Sequence, residues 1–511
     1  MIPKFAVCLP YRLPSIRLTV VLSALAALTL SACVSPGDIH SSAPTTAITN
    51  LATTFSLPGQ GGQWPTFDWP KQLGGVALQQ LVDEALADNP GLQAAATRLD
   101  AASALAEATA AGAGPTIGAG FSSVYQQYTK NGIIPPPLAG KRKLDSQLLL
   151  NFSYDFDFWG RHAAELRAVM AQGKVIEAEN YNARLMLATA VAQSYIELGR
   201  QSAQLSLIER QLALRTTANT LITRRIAAGL DPQGDKEGGT LQLETLRVEQ
   251  AQQQQAIALR RNQLAALLGK GPDRGLSIAP PAAMLQSNQS LPNNLPLELL
   301  GRRPDIVAAR WRVEAAQGAV DTARTQFYPN INLTAFAGLS SLGLSNLLKA
   351  GSFAAGVGPA IRLPIFEGGA LRANLKGRVA EQDGAIDAYN QALTESLHDV
   401  ADQLDTMRST TLQSQHQNTA LQSATNTMKL SEQRQRIGTI NRLQVLAAET
   451  ALVQQQRIAL DAQVRVTEAR IGLIKALGGG FDASATDLAL PVAHPADTTP
   501  LIRSSTTKAA L

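Results

Sequence analysis

Four stretches of the chain alternate apolar and polar residues with a period of two. In 117–125 the odd positions are mostly apolar (Ile117, Ala119, Phe121 and Tyr125), and the even ones are Gly118, Gly120, Ser122 and Val124. In 147–158 the even positions Leu148, Leu150, Phe152, Tyr154, Phe156 and Phe158 are apolar, opposed by Asn151, Ser153, Asp155 and Asp157. In 330–339 the apolar parity is Ile331, Leu333, Ala335, Ala337 and Leu339. In 353–363 it is Phe353, Val357, Ile361 and Leu363, with Arg362 opposite. This period predicts strands. No charge falls on the apolar parity of any of the four. A transmembrane strand needs roughly 9–11 such residues, and a misplaced Arg at mid-bilayer would cost about 2–4 kcal/mol. A soluble half-buried sheet alternates in the same way, so alternation alone leaves both readings open. Gly and Ser on the other face favour a wet lumen.

Between the strands lie long stretches with a helical period. Residues 78–111 form a helix that Asn89-Pro90 divides, since Asn caps well and Pro is tolerated in a first turn. Residues 161–228 read as one helix, roughly 100 Å long at about 1.5 Å per residue. Large apolar residues recur sparsely there, as Leu166, Val169, Leu187, Val191, Ile196 and Leu205, among Ala, Gln, Ser and Arg. That stripe suits a coiled-coil wall better than a thick core. Gly229-Leu230-Asp231-Pro232 turns the chain, and 241–268 returns. A second long helix covers 370–437, Gly438-Thr439-Ile440-Asn441 turns, and 443–477 returns.

The two halves repeat one plan. Pro90 and Pro115 match Pro304 and Pro329 at an offset of 214. Gly229 and Gly269 match Gly438 and Gly478 at an offset of 209. The second copy is therefore shorter, and the hairpin loop is where the loss is expected. Internal repeats of this kind signal units that cannot bury their apolar faces alone. Four strands cannot close a useful pore, because open edges are not tolerated in lipid. Several chains must then share one barrel. Arg302 and Arg303 precede the helix at Pro304, with Asp305 near its positive end. They are read either as a binding pair or as solvated charges at a helix start.

Composition narrows the chemistry. Charged residues make up 17% and aromatics 5%, and the net charge is +5. Lys4, Arg12 and Arg17 supply three of those charges, leaving +2 once a cleaved leader is removed. No Lys/Arg-rich run supports nucleic-acid binding. Cys8 and Cys33 have no partner spacing for a disulfide or zinc site. No catalytic constellation appears, so the chain is not read as an enzyme, and no metal is expected. Residues 18–30 form an apolar run of 13, too short to span a bilayer as a helix. Leu30-Ser31-Ala32-Cys33 follows and resembles the bacterial lipobox, in which the Cys is lipidated after cleavage. The alternative is an ordinary signal peptide that contains a Cys. Acylation anchors a chain without spanning.

These stretches together resemble the TolC-like outer-membrane efflux channels, in the lipoprotein branch serving RND-type multidrug pumps. The resemblance is carried by 297–306 (Leu-Glu-Leu-Leu-Gly-Arg-Arg-Pro-Asp-Ile), 323–333, Phe156-Asp157-Phe158-Trp159-Gly160-Arg161, Leu363-Pro364-Ile365-Phe366-Glu367-Gly368-Gly369 and Lys475-Ala476-Leu477-Gly478-Gly479-Gly480. It covers nearly all of 78–480. It implies a membrane α+β fold: a homotrimer whose 12-stranded β-barrel, four strands per chain, continues into a periplasmic α-helical barrel. It also implies a periplasmic adaptor, an inner-membrane RND-type pump, outer-membrane lipid around the barrel, and an N-acyl diacylglycerol lipid on Cys33 as the sole covalent group. The chain is then a passive exit duct for drugs and other small toxic compounds. A duct for a protein-exporting or heavy-metal pump is the alternative, and a periplasmic coiled-coil scaffold without a pore is another.

The family's periplasmic gate follows the second helical turn. The resemblance maps its constricting Leu to Leu443 and its usual aromatic to Gln435, while Ala447 stands where an Asp is frequent. Ordinary helix packing is the competing reading for Leu443. Asp231 and Asp235 at the first turn could supply an acidic ring, or be solvated turn acids. Asp155, Asp157 and Arg362 are expected to face the lumen. The expected domains are a signal peptide (1–32), a lipidated tether (33–77), repeat 1 (78–270, hairpin about 116–158), an equatorial linker (271–300), repeat 2 (301–480, hairpin about 330–365) and a flexible tail (481–511).

Overall fold

A computed structural model describes residues 35–46, 57, 63–281 and 295–489 of the 511. The leader, Cys33, 282–294 of the linker and 490–511 of the tail lie outside the described residues. The chain forms two compact units. One is built from 98–173 and 312–390 with the N-terminal residues up to Thr45, the other from the remainder. The elements are α1 (Trp69–Asp88), α2 (Pro90–Gly112), β1 (Thr116–Gln127), β2 (Arg142–Asp155), α3 (Arg161–Ala227), α4 (Gln233–Leu267) and α5 (Pro272–Leu276). Then follow α6 (Leu295–Arg302), α7 (Pro304–Thr325), β3 (Asn330–Leu342), β4 (Phe353–Arg362), α8 (Ala370–Arg436) and α9 (Arg442–Ala476).

The first unit holds a four-stranded antiparallel sheet in the order β1-β2-β3-β4. Its register joins the four apolar parities into one face. Phe121 pairs with Leu148, which pairs with Leu339, which pairs with Phe353. Ile117, Phe152, Ala335 and Val357 form the next row but one. On the polar face, Phe336 lies over Gly356, where a Cβ would come within 2.6 Å of the ring.

Several strand limits differ from the alternation, most of all those of β2. β2 begins at Arg142 rather than 147 and ends at Asp155 rather than 158. Apart from Leu144, residues 142–146 are polar, yet they pair with 123–127 of β1. Phe156 and Phe158 keep the strand's parity because Tyr154, Phe156 and Phe158 form a ring ladder with centroids 5.0 and 5.6 Å apart. The chain has already turned there, with Gly160 N–H donating to Asp157 O. β3 runs on to Leu342, and two short 3-10 turns replace the rest of the expected loop.

The repeat is exact in the helices: α3 and α8 are 67 residues each, and α4 and α9 are 35 each. The lost residues therefore fall in the second hairpin and its flanks. Gly229 and Gly438 close the long helices at φ 72° and 75°. In both, the next amide donates back to the helix, Leu230 to Arg225 O (2.8 Å) and Thr439 to Arg434 O (2.9 Å). Only residues without a Cβ take this left-handed position readily.

The second unit packs α1 against α3, α4 and α9. Trp69, Leu73, Leu78 and Val82 meet Val191, Tyr195, Leu198, Leu264, Leu268, Ile471 and Ile474. Two expected domain limits change here. α1 starts at Trp69, inside the stretch read as tether. Residues 35–46 lie along α8 in the first unit: Arg372 Nε donates to Ser35 O (2.9 Å), Ser41 Oγ to Asp383 (2.5 Å) and Asn390 Nδ2 to Pro44 O (3.0 Å). The tail is also ordered as far as 489. Phe481, Ala483 and Leu488 are buried against Val175, Val307 and Ala308. Their apolar content was hidden in a Thr- and Ala-rich setting.

Arg302 and Arg303 are structural. Arg302 lies over the Trp64 ring and pairs with Asp482 at 3.1 Å. Arg303 grips Asp305 with two bonds (3.1 and 2.6 Å) and reaches Asp399 and Ala476 O, each at 3.3 Å. It ties the start of α7 to α8 and the end of α9. Removing one partner of such a set leaves carboxylates and a carbonyl without their donor. Arg303→Ala is expected to cost about 3 kcal/mol, read as a lower Tm by circular dichroism. Arg303→Lys should recover only part of the loss, because it cannot hold Asp305 through two nitrogens.

Candidate functional site

Two surfaces carry the chemistry that a duct needs. The first is the sheet. One face is apolar and exposed: Ile117 at 75%, Val357 at 76% and Phe353 at 69%. Soluble proteins rarely leave so large an apolar patch open. Within it the hydroxyls satisfy one another or the chain. Ser123 Oγ and Ser146 Oγ lie 2.9 Å apart, and Ser341 Oγ donates to Gly343 O. The opposite face is small and polar, with Gly118, Asn151, Thr334, Gly338, Ser340 and Gly358.

Two of the three expected strand charges lie on that polar parity. Asp155 ends β2, pairs with Arg161, and accepts from Asn330 Nδ2 at 3.1 Å. His162 Nε2 is 3.3 Å from the same carboxylate. Arg362 ends β4 opposite Asn330. Asp157 is not a strand residue. It lies past β2, and its carboxylate accepts the amides of His162 (3.2 Å) and Ala163 (3.1 Å) in the first turn of α3. A carboxylate there meets free N–H groups and the positive helix end. Sequence reading missed Lys143 and Asp145, which stand on the polar face because β2 starts early. Running the odd parity of Asn151 back eight residues would have found both.

The second surface is the pair of helical turns. At the first, Arg225 holds Asp231 through Nε (2.7 Å) and Nη2 (2.8 Å). This bidentate pair keeps the Asp231 carboxyl below the usual carboxylate range. Asp235 is exposed in the first turn of α4. At the second turn, Asn441 and Gln444 form a reciprocal capping box. Met428, Val445 and Leu452 make the buried seam between α8 and α9. Leu443 stands outside that seam and is half-buried, Gln435 is half-buried, and Ala447 is exposed. The seam is complete without Leu443.

Farther from the turns, α9 is held to α3 and α4 by polar contacts. Arg457 donates to Gln204 (2.9 Å) and pairs with Glu249. Arg200 joins Glu197 (2.6 Å) to Asp461 (3.1 Å).

The family described as "Outer membrane efflux protein" matches residues 81–270 and 295–479. The chain belongs to this family. The two matched stretches coincide with the two repeats. The chain is similar to "Multidrug resistance outer membrane protein MdtP" of Escherichia coli (strain K12), 30% identical over 441 residues, 85% of this chain and 90% of that protein. It is similar to "Fusaric acid resistance protein FusA" of Burkholderia cepacia, 31% identical over 368 residues, 71% of this chain and 69% of that protein. Among solved structures, the outer membrane protein VceC of Vibrio cholerae aligns with a TM-score of 0.74 at 34% identity, over 82% of this chain and all of VceC. The membrane α+β class that the resemblance implies is that of this outer membrane efflux family.

The Arg225–Asp231 pair gives the first turn an acid limit. Because Arg225 lowers the folded pKa of Asp231, the pair's contribution is whole above the unfolded value, about pH 4. It is lost as pH falls through the folded value. Hydrogen exchange at the Leu230 and Asp235 amides, corrected for intrinsic rate, should quicken below that pH. Asp231→Asn should exchange faster at neutral pH and lose the acid step.

Proposed function

We propose that this chain is the outer-membrane duct of a tripartite efflux pump, a passive exit for drugs and other small toxic compounds. The observation that carries this is the register of the sheet. It gathers every apolar parity onto one face, charged only at its end by Arg142, and leaves β1 and β4 with open edges in the described chain. In hydrocarbon those edges must pair with another chain. Three copies would give twelve strands around a lumen lined by the small polar face. The long helices would continue that lumen through the periplasm as a helical barrel, toward a periplasmic adaptor and an inner-membrane RND-type pump. The duct does no chemistry.

Cys33 carries the lipid in this reading, as an N-acyl diacylglycerol group. The anchored stretch starting at Ser35 supports it, since only Val34 separates Ser35 from Cys33. Leu443 forms the closing ring, because it is left over from the α8/α9 seam. Gln435 lies near it without the aromatic ring of related gates. Ala447 supplies no charge, and Asp231 is engaged by its own Arg225, so any acidic ring at this end falls to Asp235.

Single-channel recording of the purified chain in planar bilayers tests the duct. Wild type should show rare openings, and Leu443→Ala should open more often. Unchanged opening would remove the gate assignment, and no conductance in either would favour a scaffold. Labelling with radioactive palmitate should mark wild type and spare Cys33→Ser; equal labelling would remove the anchor.

A further inference from the structure

The second unit holds a cavity of about 690 Å³ between α3, α4 and α9. On α3 it takes Ala190, Glu197 and Arg200, whereas the buried cluster beneath α1 takes Val191, Tyr195 and Leu198. At 100° per residue these sets fall on nearly opposite sides of the helix. The cavity therefore lies on the side of the helical layer that α1 does not cover.

Its charges are unevenly used. Arg200 gives Nε and Nη2 to the two oxygens of Glu197, both at 2.6 Å, and Nη1 to Asp461 at 3.1 Å. Gln201 adds a bond to Glu197 (2.9 Å), and Gln204 adds one to Asp461 (2.9 Å). Those two carboxylates are engaged. The third, Glu468, has its pKa pushed up by burial first and by Glu197 second, against the opposing charges of Arg200, Arg465 and Arg260. Two guanidiniums keep spare donors, although both act at longer range on Glu468. Arg260 gives one bond, to Gln263 (2.7 Å), and otherwise stands 3.9 Å from Glu197. Arg465 has no hydrogen bond or ion pair among the described residues, and is exposed at the cavity wall.

We propose that this cavity is a binding station for small organic anions, with a solute carboxylate taken between Arg260 and Arg465. The planar fork of a guanidinium matches a carboxylate through two parallel bonds, and a second guanidinium adds charge without needing a new geometry. Val464 and Ala190 give the body of the solute apolar contact. The volume falls within the roughly 300–1,000 Å³ of ordinary small-molecule sites. Binding itself needs only this unit. Its role rests on the duct reading: in a helical barrel the side free of α1 is the one left for the bore, and anionic cargo would meet one station per copy.

Isothermal titration of the full chain in detergent with benzoate, at constant ionic strength, tests the station. Benzamide, the same ring without the charge, is the comparison. Wild type should bind benzoate in preference to benzamide. The double variant Arg260→Gln/Arg465→Gln should lose about tenfold or more of the benzoate affinity. Arg465→Lys should recover part of it, which also shows that the site still folds. Equal binding of the two probes, no binding by wild type, or undiminished benzoate binding by the double variant would overturn the station. Reversal potentials across a potassium chloride gradient supply the second arm. The double variant should shift away from chloride. Conductance with an unshifted potential would leave the duct standing and remove the station from its bore. Absence of conductance would remove the duct and leave the titration to decide the station.

Discussion

A backbone amide or carbonyl in hydrocarbon has no water to turn to, and each one left unpaired costs several kcal/mol. The four-stranded sheet meets this constraint three times within one chain, through the β1/β2, β2/β3 and β3/β4 ladders. It fails at its two outer edges. An apolar face that carries charge only at its end, at Arg142, and is also open-edged is unstable in water and incomplete in lipid. Only closure with further copies satisfies both the face and the edges. The small residues opposite follow from the same geometry. Closing twelve strands leaves a narrow interior, and Gly118, Gly338, Gly356 and Gly358 keep that interior open. Phe336 is a large residue on this face, as are Leu149 and Leu342, and it fits because Gly356 beside it has no side chain.

The helical unit answers a different requirement, which is length without a thick core. Each long helix is stopped by a glycine that turns the chain back alongside itself. Each return helix ends at a second glycine pressed onto backbone. A Cβ on Gly269 would come within 2.5 Å of Asp88 O, and one on Gly478 within 1.9 Å of Arg302 O. The same contact recurs in both repeats, just ahead of the Pro90 and Pro304 helices. Between those ends apolar packing is thin, and the seam from α9 to α3 and α4 is carried by Arg200, Gln204, Arg457 and Asp461. Polar seams are weaker per contact than buried methyl groups, because water competes for every bond. They also fix register, since a shift of one turn would separate each guanidinium from its carboxylate.

Much of this was legible in the chain itself. Strict alternation with no charge on one parity located all four strands, and two offsets located four helix ends. The misses have physical causes. Residues 142–146 pair as strand although all but Leu144 are polar, because at the start of β2 the partner strand, not burial, decides the conformation. Asp157 kept the strand's alternation while already serving as a helix cap. Phe481 and Leu488 sit in a composition that reads as tail, yet three buried apolar side chains suffice to dock it. The pairing of Arg225 with Asp231 could not be seen from spacing, because residues six apart face each other only once Gly229 has turned the chain.

The two turns show how one plan yields two ends with different properties. At the offset of 209, Arg225 corresponds to Arg434, and Asp231 to Ile440. In the first copy the turn is closed by a charged bidentate pair. In the second, Ile440 packs toward Met428 and Val445, the capping box takes over the amides, and Arg434 has no ion pair among the described residues. The same offset sets Gly234 against Leu443 and Gly238 against Ala447. The first turn therefore presents bare backbone where the second presents an isobutyl side chain that its own helical seam does not consume. An apolar ring excludes water only if side chains converge on it, and glycines cannot converge. At these matched positions only the second turn has a side chain to constrict a passage, while the first turn has its exposed Leu230 next to the charged pair.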